Sequence, residues 1–398
     1  MSTALKDEVA LGHLLRRAGF GSSPASHEGF LSLGWRKTVD RLLDELGEPA
    51  APPPEGFDPY VPGATQQAWL DRMLSGRAML AEKLAFFWHG HFATSNTKVQ
   101  DPQLLWTQYG LFRRKGGGKF RELVEEVSRD VAMIRWLDGN SNRKGVPNEN
   151  YARELQELFT LGIGNYSEQD IREIARAFTG WGSHHHKFVF SEQYHDAGEK
   201  TVHGRTGNWD GDDVVRIITG QPASRAFIAT ELLRFFSTPD PDASEVEAVV
   251  ATLHKTEGSI KDALRTMFLA DEFRARSHYR TLVKSPVEFV VGVLRVAGAS
   301  SVPLWAHGSL ERTGQILFRP PSVKGWPSGA GWLGSAAMVE RLKAARRVAD
   351  GAPESMASGI ERIALDGEVP PELAAALQGL EGKERIALVL ASPEYQLA

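Results

Sequence analysis

Three glutamates, an arginine and two asparagines crowd the stretch Pro147-Asn148-Glu149-Asn150-Tyr151-Ala152-Arg153-Glu154-Leu155-Gln156-Glu157-Leu158-Phe159-Thr160-Leu161-Gly162. The proline at its start and the glycine at its end predict one helix over 147–162. With Glu149 set at 0°, Arg153 falls at about 40°, Glu157 at about 80°, Asn150 at about 100° and Glu154 at about 140°. Tyr151, Leu155, Leu158 and Phe159 take the opposite arc. Carboxylates on one face raise each other's pKa unless a cation compensates, and Arg153 is such a cation. A solvated face carrying i,i+4 ion pairs explains the same pattern. Asn148 and Asn150 disfavour helix and point to positioned hydrogen-bond groups or caps.

Histidines supply a second set. Trp88-His89-Gly90-His91-Phe92 closes an apolar, aromatic helix over 77–92. Glu82 and His89 share a face of it, and His91, after Gly90, is expected to leave it. Five of the twelve histidines lie between His184 and His203. Neighbours in extended chain point opposite ways, so His184, His185 and His186 do not easily share one ion. His195-Asp196 pairs a ring with an acid, which suits a metal ligand or a base with its orienting group.

The composition narrows the chemistry. The chain has 398 residues, 42% hydrophobic and 24% charged, with net charge −4 and no cysteine. Disulfides, thiolate nucleophiles and Fe–S clusters are excluded, so any metal is held by His, Asp, Glu and neutral oxygens. No block of one sign suggests nucleic acid or an anionic membrane surface as a partner. Neither a leader in Met1–Ala10 nor a membrane-length apolar run is found, so a cytoplasmic location is expected. No G-x-S-x-G elbow, Walker loop or H-E-x-x-H is present. Gly116-Gly117-Gly118 reads as a flexible turn rather than a phosphate cradle.

The elements that must position these groups are mostly helical. A proline-rich loop over 51–63 reads as a strap, and a Gly/Pro/Trp-rich loop runs over 318–332. Ser167 and Asp170 have the spacing of a capping box with a shorter acid. Lys284-Ser285-Pro286-Val287-Glu288 opens another helix. Alternation at 186–190 and 200–203 suggests a hairpin. The fold class expected is mostly α: one large multi-helix domain over 1–398 with a small β-hairpin or long ordered loop near 184–206. A subdivision into 1–207, carrying the site, and 208–398 is the alternative.

Several of these strings resemble a known family. Trp88-His89-Gly90-His91-Phe92, the run from Asn148 to Leu155, Tyr166 to Asp170, Ala175 to Trp181, His195-Asp196 with Lys200, and Gly325-Trp326-Pro327 are similar to the bacterial family DUF1800. The opening run from His13 to Gly21 looks like that family's start. The resemblance spans nearly the whole chain and implies no assigned activity. Many members look exported through a twin-arginine signal, and this chain departs from them in showing no leader.

The functional expectation is a metal-dependent enzyme, hydrolytic or oxidative, on a small-molecule or peptide substrate. The ligands would be His89, His91, Glu154, Glu157 and His195, holding a divalent iron, manganese or zinc. Glu149, Arg153, Asp170 and Asp196 are the catalytic candidates. Asn148, Asn150 and Trp326 would bind substrate. Two other readings are a non-catalytic binding or scaffold protein with a polar recognition groove, and a metal-free acid–base enzyme using His195/Asp196 or Glu154/Glu157. The sequence is silent on oligomeric state.

Overall fold

The computed structural model describes residues 4–48 and 52–398. Twenty-one α-helices run through the described residues, with four short strands in two antiparallel hairpins. Strands β1 (Trp181–His184) and β2 (Lys187–Phe190) pair with Trp181 opposite Phe190. Strands β3 (Lys200–Val202) and β4 (Arg205–Gly207) pair with Lys200 opposite Gly207. The excursion read as one hairpin or loop is therefore two hairpins. Buried side chains from Leu11 to Tyr395 form one continuous cluster, to which both halves of the chain contribute.

The Met79–His91 helix runs through that cluster, and every residue from Met79 to His89 is buried. A helix apolar on all sides must be covered on all sides. Its two charges are paired within the core. Glu82 accepts from the Trp69 indole and the Tyr109 hydroxyl and faces Arg113. Lys83 pairs with Glu288 and donates to the Gly19 carbonyl. His91 ends this helix rather than leaving it: its intrahelical position holds, and Phe92 is the residue that caps.

The Asn148–Gly162 segment departs from a single regular helix. Asn150–Glu154 is α-helical, and Leu155–Thr160 is a π-helix. The Gln156 carbonyl receives the amides of both Leu161 and Gly162, and the Thr160 hydroxyl donates to the Leu155 carbonyl. The wider turn breaks the 100° spacing, so the angles assigned beyond Glu154 do not apply. The Ser167–Asp170 capping box is present as read.

The Gly/Pro/Trp-rich loop is pinned at two points. The Phe318 amide donates to His89 Nε2 at 2.9 Å, and the Phe318 carbonyl accepts from Asn96. At Gly325, φ is +76° and a Cβ would lie 2.5 Å from the Gly90 carbonyl oxygen. Only glycine lets the strap cross the helix end that closely, and this crossing delivers Trp326. The proline-rich strap also packs down: Phe57 lies on Trp106, and Tyr60 reaches Asp101. Its first residue, Ala51, lies outside the described residues.

The β1–β2 turn carries strain. His185 and His186 both have positive φ, at 43° and 61°. A two-residue turn of this kind favours Asn-Gly, and other L residues there are strained. The His186–Asp101 contact at 2.7 Å anchors the tip. The double variant His185→Asn, His186→Gly should raise Tm by about 1–3 °C, the relief of strain outweighing the His186 contact, since Asp101 keeps Arg135 and Tyr60. A fall in Tm would show that the histidine contacts outweigh the strain.

Candidate active site

A cleft of about 590 Å³ opens among the described residues. Its walls come from the Met79–His91 helix, the Pro222–Phe236 helix, residues 281–288 and the Gly/Pro/Trp strap. Phe86, Phe87, Phe235, Trp326 and Trp332 give it aromatic faces, and His91, Glu231, Arg234, Asp240 and Lys324 give it polar ones. The cleft is of the size and mixed lining that small-ligand sites favour.

His91 is the one histidine among the described residues of the cleft lining. Its Nε2 lies 2.9 Å from the Phe159 carbonyl, at the end of the π-helix. A carbonyl only accepts, so Nε2 carries the hydrogen and Nδ1 holds the lone pair. Nδ1 has no hydrogen-bond partner among the described residues. The ring stacks on Phe87 at 5.6 Å. Burial pushes its pKa down, against an upward pull from the Phe159 carbonyl and Glu231. The result is a neutral imidazole of fixed tautomer beside a carboxylate.

His89 stands differently. It is 1% exposed, its Nε2 accepts the Phe318 amide, and burial takes its pKa down to about 3. Its lone pair is spent on holding the strap. The Trp326 ring meets it edge-on at 5.1 Å, and the Trp326 indole N–H is buried without an acceptor among the described residues.

The remaining expected site residues lie in other contacts. Glu149 pairs with Arg153 at 3.3 Å, and Arg153 makes two bonds of 2.9 Å to Glu168. These groups are an ion-pair chain with substantial exposure, the bland alternative to a pocket wall. Glu157 accepts from the Tyr166 hydroxyl at 2.6 Å. Burial raises the Glu154 pKa, Glu157 adds to the rise, and Lys324 of the strap opposes it. Asn148 receives the Asn150 amide on its side-chain oxygen and donates to Ser141, while Asn150 reaches Asp138. The two asparagines clasp the 138–150 loop. Asp170 caps Ser167 and accepts the His203 amide.

His195 donates Nδ1–H to the Thr179 carbonyl at 2.9 Å, which leaves Nε2 without a partner among the described residues. Asp196 does not orient that ring. It is bonded to Arg176 at 2.8 Å and to the Gly198 amide, and the Arg176 guanidinium takes its carboxyl down to about 2. Of the His-rich segment, His186 contacts Asp101 and His203 contacts Gln156.

Among the described residues no three His, Asp or Glu side chains are grouped so as to hold an ion. The five expected ligands have separate partners: His89 binds an amide, Glu157 a hydroxyl and His195 a carbonyl, Glu154 is acted on by Glu157 and Lys324, and of the five His91 alone lines the cleft. His91 and Trp326 are the expected site residues that do line it, and Trp332 joins them. Sequence reasoning missed Glu231, Arg234, Asp240, Glu288 and Lys324. A capping box from Ser285 to Glu288 was readable and marked a helix start, but nothing local marked a cleft floor.

A largely helical protein with an aromatic cleft that His91 lines defines only a broad class. The chain belongs to the family described as "Protein of unknown function (DUF1800)", whose model matches residues 13–397. The comparison with curated proteins gave no match, and neither did that with solved structures. No helix among the described residues is long and apolar enough to cross a membrane.

Proposed function

We propose that this protein is an enzyme whose small-molecule substrate lies in the aromatic cleft and whose proton-transfer group is His91. The observation that carries this reading is His91 itself: neutral, tautomer fixed by the Phe159 carbonyl, lone pair uncommitted, and next to Glu231. A neutral imidazole accepts a proton at Nδ1, and Glu231 stabilises the imidazolium formed. The pair takes the role that the sequence alone gave to His195/Asp196 or Glu154/Glu157.

A metal-dependent form is the second reading, and the same geometry favours it. Metal-bound histidines commonly donate their other N–H to a backbone carbonyl. A divalent ion would draw on His91 and Glu231, with its other positions filled by substrate and water.

The test is a screen of untagged protein against chromogenic ester, peptide and glycoside substrates, with metal analysis of the same preparation. His91→Gln should keep the wild-type fold and lose at least about 100-fold in rate on whichever reaction is found. An unchanged rate in His91→Gln overturns the proton-transfer role. About one equivalent of iron, manganese or zinc, lost in His91→Gln, selects the metal-dependent form. Ligand binding in the cleft with no turnover of any class leaves a binder and overturns the enzyme reading.

A further inference from the structure

We infer that the cleft takes a neutral polyhydroxylated ligand, an oligosaccharide segment; this rests on the cleft being the working site. The first support is charge. The lining carboxylates Glu231, Asp240 and Glu288 are matched by Arg234, Lys324 and the Lys83 that pairs with Glu288. With His91 neutral, the charges in and behind the lining are close to balanced, which gives little pull on a phosphate or a polyamine.

The second support is the pairing of flat rings with forked polar groups. Trp326 and Trp332 lie on one strap, Trp326 meets Phe86 at 6.5 Å between ring centroids, and Phe235 lines the same cleft. A sugar ring offers apolar C–H faces and a rim of hydroxyls that donate and accept. Aromatic faces bury the first. Carboxylates and a guanidinium satisfy the second in pairs. Asp240 and Lys324 are exposed and make no side-chain hydrogen bond or ion pair among the described residues. The Trp326 N–H, buried without an acceptor, is a further donor for a ligand oxygen.

The third support is topology. The lining residues belong to helices and connecting loops, and none lies in β1–β4. A peptide bound by strand addition has no strand edge to join. The volume of about 590 Å³ falls in the range that encloses a drug-sized molecule, which limits the bound segment to a few rings.

The experiment is titration calorimetry on the full untagged chain with four probes: cellotetraose, maltotetraose, chitotetraose and a β-1,3-glucan tetramer. Inorganic phosphate, spermidine and tetra-alanine are run alongside. At least one saccharide should bind, and Trp326→Ala and Asp240→Ala should each weaken it at least tenfold. Asp240 is exposed, so its variant reads the site even where Trp326→Ala fails to fold. Failure of all four saccharides overturns the inference. If phosphate, spermidine or the peptide binds instead and Asp240→Ala weakens it, the saccharide assignment falls while the cleft stands. If a saccharide binds and His91→Gln turns its substrate over at full rate, the ligand class stands and the proton-transfer reading falls.

Discussion

Asp366→Ala should lower the unfolding free energy by about 3–5 kcal/mol, the cost of leaving a buried cation without its partner. Asp366 is 5% exposed and Arg16 7%. The carboxylate takes Arg16 at 2.8 and 2.7 Å and the Tyr279 hydroxyl at 2.9 Å. Burial works against the Arg16 charge, and Asp366 more than restores it. The same carboxylate passes so close to the first helix that a Cβ on Gly12 would lie 1.8 Å from its Oδ1. Gly12→Ala should therefore displace it and cost a comparable amount. Because both changes injure one contact, the double variant should lose much less than the sum. Denaturant midpoints at unchanged m-value measure all three. A loss under about 1 kcal/mol in Asp366→Ala would mean that Arg16 finds other acceptors.

Glu82→Ala should cost about as much, roughly 3–5 kcal/mol. Glu82 is 3% exposed, and burial pushes its carboxyl up even with Arg113 facing it. Removing it strands the Trp69 indole, the Tyr109 hydroxyl and the Arg113 guanidinium at 3.1 Å. Glu82→Gln keeps an acceptor for Trp69 or Tyr109 and should cost less, about 2–3 kcal/mol, since the Arg113 charge still stands alone. The double variant Glu82→Leu, Arg113→Leu should recover a large part of the loss, because two apolar side chains leave no orphaned charge. If it is no more stable than Glu82→Ala, the network's hydroxyl and indole bonds outweigh the ion pair.

How much of this was legible depended on how local the cause was. The helices announced themselves through apolar spacing, cap chemistry as with Ser167 and Asp170, and first-turn proline as at Pro286, because the interactions responsible lie within one turn. Alternation around Phe188 and Val202 marked β-structure there, though one hairpin or loop was expected and two hairpins are present. The π-turn at Leu155–Thr160 left no such trace. It depends on where the Gln156 carbonyl and the Thr160 hydroxyl find partners, and an α-helical wheel assumes the answer. The site was legible only at His91 and Trp326. Periodicity tells which face of a helix is apolar but not what stands opposite, and only tertiary packing brings Glu231 and the Lys324–Trp326 strap to the cleft that His91 lines. The histidines show the same limit. His89, His91 and His195 look alike in sequence, yet one accepts an amide and two donate to carbonyls, which decides where each lone pair points.

The clasp between Arg16 and Asp366 joins residues 350 positions apart. The Leu5 amide bonds to the Arg274 carbonyl and Arg17 donates to the His278 carbonyl, so the first helix and its lead-in are secured by segments made late. A chain emerging from the ribosome N-terminus first holds Arg16 and Arg17 without their acceptors through most of synthesis. Contacts of such long range also slow the search for the native topology. The helix carrying Arg16 should thus stay protease-sensitive until the segment carrying Asp366 has been made, and their closure should be a late, cooperative step in folding.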